Sequence, residues 1–133
     1  MTMSSKKENY LLSMIHSELA DAVGRDYVSC NAADQLGHSI DYYWIPEMWH
    51  SHGRENPKPE FVVHPGSTEE VVKVMKIANN YKIPVTPWGG GSGSQGGALP
   101  IYGGIILDTK RMNKIISIDS ESLSVTVETG INT

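Results

Sequence analysis

A chain of 133 residues, 39% apolar and 20% charged, carries enough hydrophobic material for one packed domain, which excludes wholesale disorder. Fifteen acidic residues against eleven lysines and arginines leave a formal charge of −4, which excludes a general attraction to nucleic acid or to anionic lipid. A single cysteine, Cys30, excludes an intramolecular disulfide and a cysteine-rich metal centre, and a reduced, cytoplasmic chain is the expectation.

The first expected element is an amphipathic helix over residues 6–23. Leu11, Met14, Ile15, Leu19, Ala22 and Val23 recur at helical spacing, and Gly24 supplies a stop. Ser13, His16, Ser17 and Glu18 interrupt the apolar run behind Lys6 and Lys7, so the segment lacks the pattern of a signal peptide. No stretch of the chain approaches the ~20 apolar residues of a membrane span. Residues 25–60 present no firm element. Within them Asp41, Tyr42, Tyr43, Trp44, Met48 and Trp49 make an aromatic-rich stretch; Asp41 to Trp44 is read first as packing surface and second as cover for a ligand or a neighbouring domain. Gly53 to Pro59 reads as a loop. His50 and His52 have the spacing of two metal ligands, but no third accompanies them, so a hydrogen-bonded or solvated pair and no metal is expected. Cys30 has no thiolate-stabilising neighbour in sequence and is expected to be inert.

From Pro59 the pattern sharpens into mixed α/β. Phe61-Val62-Val63 is a short buried strand closed by Pro65-Gly66, with His64 at its end. Ser67 and Glu70 form a capping box for a helix that carries Val71, Val74, Met75, Ala78 and Tyr81 on one face and ends at Pro84. Ile83 to Thr86 is a second strand, parallel to the first because a helix separates them, which makes a βαβ unit. Ile105-Ile106-Leu107 is a third strand. Residues 114–119 and the alternation Leu123, Val125, Val127 form an antiparallel pair turning at Asp119-Ser120-Glu121. Lys110 and Arg111, just past a strand, read first as solvated charges and second as contacts for a phosphate.

Between the second and third strands lies Gly89-Gly90-Gly91-Ser92-Gly93-Ser94-Gln95-Gly96-Gly97. Residues without bulk let a backbone approach a ligand and turn successive N–H groups inward as an anion-binding nest, and Ser92 and Ser94 add hydroxyl donors. Gly91, Gly93 and Gly96 spell the dinucleotide fingerprint G-x-G-x-x-G, but Pro100, Gly103 and Gly104 forbid the helix that must follow it. A P-loop requires Lys and Ser or Thr where Gly97 and Ala98 stand. No Lys, Arg or His occurs between Lys82 and Lys110, so the loop is expected to hold a phosphate-bearing ligand through backbone dipoles without a cation. Read from spacing alone, a flexible loop without a ligand stays open as the alternative.

The run from Pro87 and Trp88 to Leu99 and Pro100 resembles the pyrophosphate loop of the FAD-linked oxidases of the vanillyl-alcohol oxidase type. The likeness is strongest to the glycolate oxidase flavin subunit and D-lactate dehydrogenase group. It extends from about Pro59 to Ile131 and includes Pro65-Gly66-Ser67-Thr68-Glu69-Glu70-Val71, the stretch from Leu107 through Asp108, Lys110, Arg111 and Asn113 to Ile115, and Val125-Thr126-Val127-Glu128-Thr129-Gly130-Ile131. The resemblance implies that residues 59–133 are the first lobe of a bipartite FAD-binding domain, preceded by an N-terminal helix and extension over 1–58. A second lobe and a substrate domain are expected beyond this chain. It implies FAD contacts from Trp88, Gly89, Gly90, Gly91, Ser92, Gly93 and Ser94, with Gly97 and Ala98 beside them. Many relatives have Arg where Trp88 stands. Members with flavin bonded to a loop His carry that His where Ser92 stands, so noncovalent FAD is implied. The activity implied is flavin-dependent oxidation of a small 2-hydroxy acid, with catalytic groups in the later domains and an electron-acceptor protein as a further partner. Alkyl-dihydroxyacetone-phosphate synthases and phenol oxidases share this lobe. A free-standing binding module without redox turnover is the reading of a different class.

Overall fold

Four short segments rich in β-branched residues come together as one sheet. The computed structural model, which describes residues 3–132, contains in chain order the helix Met3–Val23 (α1), a 3-10 turn at Arg25–Tyr27, the strand Val28–Ser29 (β1), the helices Ala32–Gly37 (α2) and Trp44–Ser51 (α3), the strand Phe61–Val63 (β2), the helix Thr68–Tyr81 (α4) and the strands Val85–Trp88 (β3), Ile105–Asp108 (β4), Ile115–Asp119 (β5) and Ser124–Val127 (β6). The main sheet has the order β1-β2-β4-β3; β1 is antiparallel to β2, and β2 and β3 both run parallel to β4. The expected βαβ unit is present, yet its two strands are not neighbours, because β4 inserts between them. β4 is buried at every position, and an uninterrupted apolar run suits the centre of a parallel sheet covered on both faces.

The two faces separate by the period of two. Phe61, Val63, Ile105 and Leu107 face Ile15, Leu19 and Val23 of α1 and Val74 and Ala78 of α4. Val62 and Ile106 face the other way, against Trp88 and Ala98. The segment before residue 59 thus contributes to the same core as the segment after it. Of the apolar stripe read along α1, the i, i+4, i+8 row of Ile15, Leu19 and Val23 is buried, whereas Leu11 and Met14 are exposed; on α4, Met75 is likewise outside. No helix among the described residues is long and apolar enough to cross a membrane.

The region 25–60, which showed no periodicity, is ordered by local caps and pairing. Asn31 Oδ1 accepts the Asp34 N–H at 2.9 Å to start α2, and β1 pairs with the outer edge of β2. Helices of six and eight residues are too short to display a hydrophobic period, which is why α2 and α3 escape a sequence reading.

Both ends of α4 depart in detail from the sequence reading. Ser67 Oγ accepts the Glu70 N–H at 3.3 Å, but the Glu70 carboxylate reaches back to the N–H of Gly66, at 2.7 Å, rather than to that of Ser67. At the other end Pro84 is not the terminator. Lys82 adopts the left-handed conformation at φ 56°, with its N–H bonded to Asn79 O and the Ile83 N–H to Ala78 O, the paired bonds of a Schellman motif. Those two residues are consumed by the cap, so β3 begins at Val85 rather than Ile83. A lysine pays a steric cost in this conformation that glycine does not. Lys82→Gly is therefore expected to stabilise the fold by about 0.5–1 kcal/mol, read as a higher midpoint in urea with unchanged slope.

β5 and β6 form the expected antiparallel hairpin as a separate two-stranded sheet. Asp119 makes the turn, with Oδ1 accepting the N–H groups of Glu121 and Ser122. Leu123 belongs to that turn rather than to the strand and is 90% exposed.

Candidate functional site

Parallel pairing brings the ends of β3 and β4 level, with Trp88 opposite Asp108. The glycine loop leaves from the carboxyl end of β3, the edge at which open α/β sheets bind ligands. No helix begins between Gly89 and Gly104, as expected from Pro100, Gly103 and Gly104. Among the described residues, no backbone N–H from Gly90 to Ala98 donates to a protein acceptor. The loop is a row of free donors held by a few fixed points. One is the Tyr42 N–H, which donates to Gly91 O at 3.3 Å. Another is Trp88 O, which accepts both the N–H and the hydroxyl of Thr109.

Trp88 is 5% exposed and lies under the loop rather than beside it. Gly91 has φ 64°, and a Cβ there would stand 2.5 Å from Trp88 Cζ2. Gly89, Gly90 and Gly97, by contrast, would meet nothing within 4 Å. This is a cradle whose width is set by the absence of side chains, with an indole for its floor. Two cavities flank it. One of 530 Å³ is lined by His38, Asp41, Tyr42, Trp88, Gly90 and Gly91 among others. The second, of 490 Å³, is lined by Tyr42, Gly89, Gly90, Ser92 and Gly130 among others. Of the residues implied by the resemblance, Trp88, Gly89, Gly90, Gly91 and Ser92 converge on these cavities. Gly93, Ser94, Gly97 and Ala98 line neither, and Ala98 packs on the Val62–Trp88–Ile106 cluster.

Three sequence expectations require correction. The loop does not lack a cation: Lys110 lines both cavities, because the register that sets Trp88 beside Asp108 carries the chain past β4 to the mouth of the loop. A gap of charges along the chain is not a gap in space. Arg111 is not a solvated charge either, since its Nη1 donates to His64 O at 2.7 Å and its guanidinium covers the Tyr27 ring at 3.3 Å from the centroid. Finally, Tyr42 and Trp44 do not pack inside; they are 79% and 62% exposed. The packing residues of that stretch are Asp41, buried beside the loop, and Tyr43, whose ring approaches Gly96. His50 and His52 sit at the end of α3, where His52 Nδ1 donates to Met48 O at 2.7 Å. Cys30 is exposed.

Sequence reading missed the hub beneath the cradle. Asp108 is fully buried, with His38 Nε2 at 3.1 Å, His64 Nδ1 at 3.4 Å and Lys110 Nζ at 3.2 Å from Oδ2, while Oδ1 accepts the Lys110 N–H. The His38 ring in turn packs against Trp88, tilted by 60° at 4.8 Å between centroids. A carboxylate closing the apolar run Ile105-Ile106-Leu107 was the available signal. Burial works to raise the Asp108 carboxyl, but the His38 hydrogen bond, the Lys110 N–H and the charges of Lys110 and His64 outweigh it and hold the group below its usual range. His64 is pushed below its usual 6.5, first by burial and then by His38, against the pull of Asp108.

Both shifts make the fold acid-sensitive. A histidine whose folded value is depressed leaves stability intact above about pH 6.5 and withdraws it as pH falls below, since the unfolded chain then binds more protons. The carboxylate adds a second loss below about pH 4. Melting temperature is expected to decline between pH 7.5 and 5.5, and His64→Phe to flatten that interval; an unchanged slope would remove His64 from the account.

The sequence profile of the FAD binding domain matches residues 59–133. Among curated proteins, the mitochondrial D-lactate dehydrogenase [cytochrome] of Kluyveromyces lactis is 36% identical over 129 residues, covering 94% of this chain and 21% of its own. Glycolate oxidase subunit GlcD of Bacillus subtilis is 37% identical over 75 residues, covering 56% of this chain and 16% of its own. The chain therefore spans about a fifth or less of the length of these relatives. Among solved structures, alkyldihydroxyacetonephosphate synthase superposes with a TM-score of 0.79 at 24% identity, covering 90% of this chain and 24% of the other. The 4-ethylphenol oxidase of Gulosibacter chungangensis superposes with a TM-score of 0.70 at 28% identity, covering 90% and 22%.

Proposed function

We propose, since the chain belongs to the FAD binding domain family, that residues 59–133 are the lobe that holds the pyrophosphate of FAD in a flavin-dependent oxidoreductase of small 2-hydroxy acids such as lactate or glycolate. The observation that carries this reading is the row of unengaged N–H donors from Gly90 to Ser94, set beside Lys110 at the end of two parallel strands. Such donors suit a dianionic group, whose oxygens accept from them, and small residues leave the space for it. The FAD contacts are assigned to Trp88, Gly89, Gly90, Gly91, Ser92, Gly93 and Ser94, with Gly97 and Ala98 at the margin. Two residues before the lobe brace the cradle, Tyr42 on Gly91 and His38 on Trp88.

When bound, the flavin supplies the hydride-accepting ring. The residues of this chain bind and orient; no group here is assigned a catalytic role. The substrate assignment is supported by the D-lactate dehydrogenase and glycolate oxidase relatives, and the phenol-oxidising reading by the likeness to 4-ethylphenol oxidase. Noncovalent attachment is supported by Ser92, which offers no imidazole. For the compartment, lone Cys30 supports a reducing one such as the cytoplasm, and the names of mitochondrial relatives support the mitochondrion.

Purified by itself, the 133-residue chain is expected to be colourless and to turn over neither lactate nor glycolate, because it provides one lobe of the site. The longer parent protein should be yellow and release its flavin into the supernatant on acid precipitation. Stoichiometric flavin on the short chain, or flavin that stays in the acid pellet of the parent, would overturn the corresponding part of the assignment.

A further inference from the structure

The two cavities beside the glycine loop differ in charge. The one that contains Gly89, Gly90 and Ser92 is lined by Tyr42, Lys110 and residues 129–132 and has no carboxylate. The other is lined by three, Asp34, Asp41 and Glu47. The second also holds Lys110 and His38 but is the more acidic of the two, so a pyrophosphate is better accepted by the first. Asp41 is the buried member of the three, 7% exposed. Its Oδ1 accepts the Tyr43 N–H at 3.0 Å, and its Oδ2 has no partner among the described residues. That oxygen lies against the loop, 3.8 Å from where a Cβ on Gly93 would stand. Leaving a buried carboxylate oxygen unpaired is costly, so the feature calls for a donor.

Resting on the FAD assignment, we propose that Asp41 is a cofactor-binding residue whose Oδ2 accepts a hydrogen bond from a hydroxyl group of the bound flavin nucleotide. The loop then acts as a divider. Pyrophosphate lies on the carboxylate-free side, and a polyhydroxyl portion crosses Gly90 to the acidic side. Tyr42, bonded to Gly91 and lining both cavities, fixes the divider to Asp41.

Asp41→Asn in the full-length protein separates the alternatives by sign. The amide oxygen still accepts the Tyr43 N–H, while the acceptor at Oδ2 becomes a donor. Losing a charge-assisted bond should weaken FAD binding about tenfold. The melting temperature of the apoprotein should hold or rise, because an unpaired buried carboxylate is gone. If Asp41 does not touch the cofactor, removing a negative charge near a dianion leaves affinity equal or tighter, and either result overturns the inference. Weaker binding with a lowered apoprotein melting temperature marks a structural residue and overturns it as well. Titrations with FMN and ADP distinguish the two hydroxyl sources. A ribityl contact weakens FMN alone, a ribose contact weakens ADP alone, and an effect on neither overturns the proposal. A wild-type protein that binds no FAD overturns the functional assignment with it, whereas wild-type binding with an indifferent Asp41→Asn overturns this inference only.

Discussion

Gly91→Val should cost the full-length protein its flavin, with FAD affinity falling at least ~100-fold, the equivalent of two lost charge-assisted hydrogen bonds. Two independent obstacles act at this position. The backbone is at φ 64°, which a β-branched residue resists, and the first carbon of any side chain lands 2.5 Å from the Trp88 ring. The loop or the indole must move, and either movement disperses the donors that face the pyrophosphate. The core on the α1 and α4 side belongs to the opposite face of the sheet from Trp88, so far-UV circular dichroism should change little. Gly90→Ala is the matched control, since a Cβ there meets nothing within 4 Å, and Ser92→Ala should be mild because its backbone donor survives. Wild-type flavin occupancy in Gly91→Val, measured by absorbance after dialysis, would remove the loop from the pyrophosphate site.

The largest loss of stability is expected at Asp108. Asp108→Ala takes the common partner from His38, His64 and Lys110 in a site where the carboxylate itself has no exposure. Breaking such a buried cluster costs about 3–5 kcal/mol, and the lower end applies because Lys110 can turn to water. For a domain of this size that lowers the melting temperature by on the order of 10 °C. The damage should reach the cradle, because His38 loses the bond that holds it against Trp88. Asp108→Asn, which keeps one acceptor oxygen and the shape of the side chain, should retain more than half of the stability. A melting temperature for Asp108→Ala within 2 °C of wild type would show that the hub is not structural.

Much of the fold and part of the site could be read from the chain, and the boundary between what could and could not is physical. β2, α4, β4 and the β5–β6 hairpin follow from local signals: an apolar run, a cap with an amphipathic stripe, a second apolar run and an alternating pair. The glycine cradle and its rejection of a following helix follow from residue type alone. Strand order does not. Nothing in Val85 to Trp88 says that β4 rather than β2 will lie beside it; that depends on β4 being the strand that can be covered on both faces. The missed site residues share this cause. Lys110, His38, His64 and Asp41 are scattered along the chain, and they meet only because of sheet register and two helices too short to show a period. Taken singly, Lys110 is a charge past a strand, His64 a strand end and Asp41 part of a packing surface, and His38 carries no local signal.

The insertion of β4 between β2 and β3 also dictates an order of assembly. During vectorial synthesis β1, β2 and β3 emerge first, and none of them can complete the sheet. β3 has no neighbour except β4, and β2 has only the two-residue β1. Within the main sheet a hairpin-type nucleus is unavailable, since the closing contacts run from residues 61–63 and 85–88 to residues 105–108, with the whole glycine loop crossed before the second set can form. Loop-closure entropy is spent before those contacts offset it, which places such topologies among the slower folders for their length. Meanwhile the inner edges of β2 and β3 stay open, the state in which strands pair with the wrong chain. The glycines that shape the cradle therefore also form the tether whose closure completes the sheet, so a change that stiffens or lengthens the loop acts on refolding yield as well as on the finished site.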